Sequence, residues 1–144
     1  MKKIFLTFVA MLFMVVANAQ SWSEAVNEYV TGMNESAPLL EQVFKQSGLN
    51  VKVSTSYNEA TKELVSEVKF EPHVWNAMGN ANIKAAKTEQ LNSYRTSFKT
   101  DAEFSDFVRK MKQNGAKFLT IYSCVENGKN KTKNFVITPD EIMK

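Results

Sequence analysis

Residues 117–138, KFLTIYSCVENGKNKTKNFVIT, hold two runs of alternating side chains separated by Asn127-Gly128. An Asn-Gly pair between two such runs is a strong signal for a two-residue β-hairpin, because both turn residues tolerate positive φ. We therefore predict strands over residues 117–125 and 131–138. Both faces of the first run are apolar, which is typical of a strand in the interior of a sheet.

A second hairpin is predicted earlier in the chain. Residues 49–57 and 63–70 alternate between apolar and polar side chains and are joined by a polar turn. Such alternation is typical of strands with one buried face and one exposed face. Pro72 follows the second run and ends it.

Helical regions are predicted on either side of this hairpin, from apolar residues at helical spacing. Residues 22–46 are expected to form two helices, because Pro38 interrupts the pattern. Residues 73–98 are expected to form a kinked helix or two helical pieces, because Gly79-Asn80 weakens the middle of the pattern.

Two capping boxes are predicted from Thr and Glu three residues apart. Thr100 and Glu103 mark the start of a helix that precedes the closing hairpin. Thr138 and Glu141 repeat the spacing around Pro139 and predict a final helical turn.

The order of these elements is helix, hairpin, helices and hairpin, without βαβ alternation. This order predicts an α+β protein, α-ββ-αα-ββ, with an antiparallel sheet of about four strands and helices packed on one face. Residues 20–144 contain no long linker, repeat or low-complexity tract. They are expected to form a single domain with its own core.

Residues 1–19 have the features of a secretory signal peptide. A short basic start leads into the apolar run Ile4–Val16, which one threonine interrupts, and Ala17 and Ala19 then give the small-x-small pattern. We predict cleavage between Ala19 and Gln20. The run is shorter than the roughly 20 residues of a membrane span, and no cysteine follows the cleavage site. The expected product is soluble, periplasmic or secreted, without a stable membrane span, and not a lipoprotein.

The charge balance changes when the predicted signal peptide is removed. The full chain has 18 Lys+Arg and 15 Asp+Glu, for a net charge of +3. Residues 1–19 hold two of the lysines and no acid, so 16 basic and 15 acidic residues remain and the net charge falls to +1. No global field then attracts nucleic acid or anionic lipid, and nucleic acid is not an expected partner.

His73 and Cys124 are the single histidine and the single cysteine of the chain. A nucleophilic thiolate needs a nearby base, and nothing in the spacing brings these two residues together. Cys124 is expected to be a structural residue of a strand. An intermolecular disulfide through Cys124 stays open, because export leads to an oxidising space. One histidine and one cysteine give no recognisable zinc spacing, and neither a metal nor a cofactor is predicted.

The carboxylates are also interpreted structurally. Asp101, Glu103 and Asp106 lie close together, but they lack the glycine and the ligand spacing of a calcium loop. Glu63 and Glu67 are an acid–base pair in principle, yet alternation places them on the polar face of a strand. No catalytic residue is assigned.

The lysines around the last turn are the candidate binding residues. Lys129, Lys131 and Lys133, with Tyr122 on the same hairpin, combine positive charge with an aromatic ring. They suit an acidic partner or a polyanionic component of the cell envelope. The alternative is that Lys131 and Lys133 pair with Glu126, or protect an edge strand from aggregation.

The region 49–142 resembles small exported bacterial domains of unknown function. The likeness is carried by the segment FVRKMKQNGAKFLTIYSCVENGKNKTKNFVITPDEI, in which Gly115 and Tyr122 frame a G-x-x-h-x-h-x-Y pattern before a Gly-Lys turn and a closing ITPDEI. Many such domains have further cysteines near this hairpin, whereas this chain has only Cys124. The resemblance implies the α+β fold and export, and no catalytic residue.

The expected function is that of an exported binding or accessory module, which acts by surface recognition through the uncovered face of the sheet or the final hairpin. The first alternative is a hydrolase-type enzyme of the cell envelope that uses His73, Cys124 or surface carboxylates. The second is a structural homodimer, with Cys124 as its possible link.

Overall fold

The computed structural model describes residues 21–144, apart from the side chains of residues 77–82. The predicted signal peptide, 1–19, and its cleavage site between Ala19 and Gln20 lie outside the described residues. The elements in chain order are α1 (Trp22–Gln46), β1 (Val51–Asn58), β2 (Glu63–Phe70), α2 (Pro72–Thr100), α3 (Ala102–Gln113), β3 (Lys117–Glu126), β4 (Lys129–Ile137) and α4 (Pro139–Met143). This sequence of elements confirms the α+β class and the predicted order of helices and strands.

The four strands form one sheet in the order β1-β2-β3-β4. The two hairpins are antiparallel, but β2 and β3 pair in parallel, with Leu64 opposite Phe118. The prediction of an antiparallel sheet is therefore wrong at its centre, and the sheet is mixed. The reason is the long connection through α2 and α3, which returns the chain to the end of the sheet where β2 begins.

Both long helices are continuous. α1 runs through Pro38, although proline has no N–H to donate to the carbonyl of Asn34. The prediction of two helices over 22–46 is therefore wrong. The buried face continues through Met33, Ala37 and Leu40, and this packing stabilises the helix across the proline. α2 is also one helix over Pro72–Thr100.

The starts of α3 and α4 are fixed by side-chain caps. α3 is capped by Asp101, whose carboxylate accepts the N–H groups of Glu103 and Phe104 at 2.9 and 3.1 Å. The prediction of Thr100 as the cap is wrong by one residue, because the Thr100 hydroxyl donates to the carbonyl of Thr96. The second capping box is confirmed, since Thr138 and Glu141 bond reciprocally at the start of α4.

The core lies between the helices and one face of the sheet. Aromatic rings connect the layers, with Tyr29 stacked on Phe107 and Tyr94 tilted against Phe118. The other face of the sheet, which we call the open face, has no described helix packed across it, and its side chains alternate in sequence with the buried ones. The sheet therefore has one face in the core and one face turned outward.

Candidate functional site

The open face carries a row of aliphatic side chains across three adjacent strands. Val65 on β2 lies opposite Leu119 on β3, which in turn lies opposite Val136 on β4. Ile121 extends this patch along β3. All four side chains are half-buried by their neighbours, and none of them belongs to the core cluster. We call these four residues the aliphatic patch.

Charged groups border the aliphatic patch on its β1–β2 side. Glu67 lies beside Ile121 and pairs with Lys69 at 3.8 Å. Lys52, farther out on β1, pairs with Glu41 of α1 at the same distance. Exposed ion pairs of this kind contribute little to stability. An apolar centre with a mixed-charge rim has the composition of a protein-recognition surface.

Ser123 is an unusual residue on the open face. Its side chain is 1% exposed, and its hydroxyl has no hydrogen-bond partner within the described part of the chain. Lys69 and Thr132 lie opposite it on the two flanking strands. A hydroxyl that is shielded from water without a partner carries a desolvation cost.

The three candidate lysines have different environments. Lys131 forms a 2.9 Å ion pair with Glu126 across the hairpin, as the structural alternative predicted. The Lys133 ammonium lies 4.9 Å from the centre of the Trp75 ring, a cation–π geometry. Lys129 is exposed beside the turn.

Tyr122 lies in the core, opposite Lys133 across the hairpin. Its ring is 3% exposed and makes edge contacts with Phe70 and Phe135. Burial, with a smaller contribution from Tyr94, raises the pKa of the Tyr122 hydroxyl well above its ordinary value. A ligand on the protein surface meets the lysines, whereas the ring of Tyr122 faces the helices.

His73 and Cys124 lie in contrasting environments. The His73 side chain is 69% exposed at the start of α2, where its Nδ1 lies 3.5 Å from Glu71. Cys124 is 0% exposed in the core, opposite Phe70. A thiol in this position reaches neither a substrate in solvent nor a second chain unless the strand opens.

The acidic residues singled out in the sequence have structural contacts. Asp101 caps α3, and Asp106 pairs with Lys110 one turn later at 2.9 Å. Glu63 and Glu67 lie on the open face. Within the described residues, no group of three His, Cys, Asp or Glu side chains is placed to hold a metal ion.

A cleft of about 890 Å³ lies between the second half of α1 and the adjoining ends of the strands. Its charged lining residues are Glu41, Lys45, Lys52, Lys69 and Glu71. Glu71 accepts a hydrogen bond from Asn50 at 3.2 Å, and Glu41, Lys52 and Lys69 form the ion pairs described above. Three lysines and two glutamates give the lining a net charge of only +1, which favours no particular ligand.

The core contains a polar row that the sequence patterns did not predict. Thr55, Ser66 and Thr120 lie opposite one another on β1, β2 and β3, and all three are buried under the helices. The alternation of the strands placed each of them on a core-facing side. Their alignment required the parallel register of β2 and β3, which no local pattern indicates.

Three helix side chains complete this polar row. The Gln90 amide donates to the Tyr94 hydroxyl at 2.6 Å, and Thr120 donates to the Gln90 carbonyl oxygen at 3.3 Å. Tyr29 is hydrogen-bonded to Ser66 and Tyr94. Burial raises the pKa of Tyr94 to about 12, although its hydrogen bonds with Gln90 and Tyr29 oppose the shift. These groups are buried away from solvent, so their role is to specify how the helices pack on the sheet.

Neither known protein families, curated proteins nor solved structures contain a match to this chain. Across residues 21–144, each helix is too short or too polar to cross a bilayer.

Proposed function

We propose that this protein is an exported binding module that recognises another protein through the open face of its sheet. The aliphatic patch is the observation that carries this proposal. Export follows from the pattern of residues 1–19, and the resemblance to small exported bacterial domains is consistent with it. The homodimer alternative is distinguished by the crosslinking test below, and the enzyme alternative is weighed from the positions of its proposed residues.

The composition of the patch favours a protein partner. Leu119 and Ile121 are large aliphatic side chains, and fully burying one such side chain contributes about 1.5–3 kcal/mol. Glu67 and Lys69 at the rim supply charges that fix orientation more than affinity. Nucleic acid would instead require a basic groove, which this mixed rim does not form.

The enzyme alternative receives no support from the positions of its proposed residues. A nucleophilic cysteine acts as an accessible thiolate beside a base. Cys124 is 0% exposed, and His73 contacts a carboxylate on the surface. A covalent dimer through Cys124 meets the same obstacle, because disulfide exchange requires access to the sulfur.

The proposal is tested by placing a photo-crosslinking amino acid at Leu119 in the cells that produce the protein. Asn92, which is exposed on α2 in the helix layer, is the control position. We expect a discrete product from Leu119 and none from Asn92. Mass spectrometry of the product then distinguishes a second protein from a second copy of this chain.

A matched pair of variants checks that the patch itself makes the contact. With the photo-crosslinking residue kept at position 119, Val65→Lys/Ile121→Lys adds two charges to the patch, and Thr88→Lys/Asn92→Lys adds two charges to exposed positions of α2. The first variant should lose the crosslinked partner, and the second should keep it, with both showing wild-type circular dichroism. No product from position 119, or equal recovery with both variants, refutes the proposal. A product of two identical chains favours the homodimer alternative.

A further inference from the structure

The two edges of the sheet differ in the hydrogen-bonding environment of their outward-facing backbone groups. At the β1 edge, the Asn34 side chain donates to the carbonyl of Thr55 at 2.8 Å and accepts its N–H at 2.9 Å. α1 thereby occupies the outward-facing hydrogen-bonding groups of Thr55. β4 forms the other edge, and among the described strands it pairs with β3 alone.

The turn geometry determines which groups of β4 face outward. Asn127 and Gly128 have φ angles of 52° and 74°, and Glu126 pairs with Lys129 directly across them. Positive φ at both turn residues defines a type I′ hairpin, whose closing pair is hydrogen-bonded. Because antiparallel pairs alternate, Lys129, Lys131 and Lys133 direct their backbone groups toward β3.

The intervening residues therefore direct their backbone groups away from the sheet. These residues are Asn130, Thr132 and Asn134, and all three are exposed. Their N–H and C=O groups form a row of donors and acceptors that suits the addition of another strand.

The side chains along this edge are positively charged on one face. Lys129, Lys131 and Lys133 share the helix side of β4, as the contact of Lys133 with Trp75 shows. β4 contains no acidic residue, and Glu126 is the only one in the whole hairpin. A second copy of this edge would bring like charges together, which disfavours pairing between two β4 strands.

We propose that the outer edge of β4 accepts an extended acidic segment of a partner protein as a fifth, antiparallel strand. Residues of that segment opposite Lys131 and Lys133 would occupy non-hydrogen-bonded positions, where cross-strand side chains approach most closely. The segment therefore has Asp or Glu at alternate positions, with small or β-branched polar residues between them. This proposed site lies at the edge of the sheet, separate from the open face, and does not depend on the function proposed for that face.

The test uses the mature chain and an acetylated, amidated heptapeptide, Glu-Thr-Glu-Val-Glu-Thr-Glu, at low ionic strength. A Trp22→Phe variant leaves Trp75 as the single tryptophan, 4.9 Å from the Lys133 ammonium. Binding at β4 should change the Trp75 emission in a saturable way. Calorimetry then measures the affinity for the variants and the control peptides.

Two controls separate strand addition from charge attraction. The first is the same peptide with N-methyl groups on its Thr and Val residues, which keeps every charge and removes the backbone donors facing β4. The second control is a pair of double variants. Lys131→Gln/Lys133→Gln removes two charges from β4, whereas Lys52→Gln/Lys69→Gln removes two charges from β1 and β2. We expect roughly tenfold or greater weakening from N-methylation and from the β4 variant, and no change from the β1–β2 variant.

The proposal is overturned if the heptapeptide does not bind, or if the N-methylated peptide binds equally well. It is also overturned if polyphosphate binds as tightly as the heptapeptide and with the same lysine dependence, since the lysines would then act as a general polyanion site. Leu119→Gln/Ile121→Gln, which adds no charge, should leave peptide binding unchanged, so this test and that of the open face fail independently.

Discussion

Asn34 forms two hydrogen bonds with the backbone of Thr55, at 2.8 and 2.9 Å, and so pairs with the β1 edge as a neighbouring strand would. The contact joins the middle of α1 to the sheet across 21 residues of sequence. It also prevents another chain from using these two backbone groups, which are the ones that an added strand would pair with.

Replacing Asn34 with alanine should lower the free energy of unfolding by about 1–2 kcal/mol, because two neutral hydrogen bonds are lost. Urea denaturation measures the change. Glu35→Ala, at the neighbouring exposed position, is the control and should change stability by less than about 0.5 kcal/mol. Equal stability of the two variants would show that the contact with Thr55 does not stabilise the fold.

The buried polar row should behave as a coupled unit. Thr120→Val removes the donor to Gln90 and leaves a buried amide oxygen unpaired, at a cost of about 1–3 kcal/mol. Gln90→Met should also destabilise, because the Tyr94 hydroxyl loses its donor. The double variant should lose less free energy of unfolding than the two single variants together, by at least about 0.5 kcal/mol. Strict additivity in a double-mutant cycle would contradict this coupling.

Stability should fall at alkaline pH. Burial raises the pKa of Tyr94 from its ordinary value of 10.0 to about 12, and it raises the pKa values of Tyr29 and Tyr122 in the same direction. Above pH 10 the unfolded chain has released protons that the folded chain still binds. The free energy of unfolding therefore decreases as the pH rises from about 10 to 12, and it is unaffected by these groups below that range.

Urea denaturation at several pH values between 9 and 12 measures this slope. Each tyrosine that stays protonated only in the folded state contributes about 1.4 kcal/mol per pH unit. Tyr94→Phe should reduce the slope by up to that amount. A slope unchanged by this substitution would mean that Tyr94 is not a source of the alkaline sensitivity.

The attachment of α4 should depend on Glu141 more than on Asp140. Burial alone would raise the pKa of Glu141, but the Thr138 backbone N–H and Lys87 outweigh it and lower the pKa. The Lys87 ammonium lies 3.1 Å from the Glu141 carboxylate, and Arg95 donates to the Glu141 carbonyl at 2.9 Å. Glu141→Gln should therefore destabilise the protein at pH 7.

The pH dependence of this loss follows from the lowered pKa. Stability from the ionised Glu141 is present above its ordinary pKa of 4.5 and is lost as the pH falls through the lower folded-state pKa. Wild type and Glu141→Gln should therefore converge in stability as the pH falls below 4.5. Asp140→Asn is the matched control, because the Asp140 side chain is 70% exposed in its pair with Lys112. Thr138→Ala should lower the free energy of unfolding by about 1 kcal/mol, because α4 loses its N-terminal cap. Thermal unfolding of the three variants measures these differences.

Local patterns were sufficient to predict the hairpins and the class of fold. The Asn127-Gly128 turn and the alternation around it fixed the last hairpin, and the interior position of β3 followed from its two apolar faces. The parallel direction of β3 relative to β2 could not be predicted from local patterns. It depends on the path of the 46 residues that connect the two strands, 71–116.

The candidate site was predictable only in part. The lysines of the last hairpin and the pairing of Lys131 with Glu126 follow from residues close in sequence. The aliphatic patch and the polar row require the register between the two hairpins, which sets Leu119 beside Val65 and Thr120 beside Ser66. The contact of Asn34 with β1 could not be predicted, because its partner is a backbone group rather than a complementary side chain.

The parallel pairing of β2 and β3 also bears on the order in which the protein folds. Each hairpin forms from residues close in sequence, whereas Val65 and Leu119 meet only after α2 and α3 have been placed. We expect the junction between the hairpins to close late, and hydrogen exchange during refolding would report its protection after that of the two turns. The aliphatic patch would then exist only on chains that have finished folding, so a partner that binds it would discriminate against incompletely folded copies.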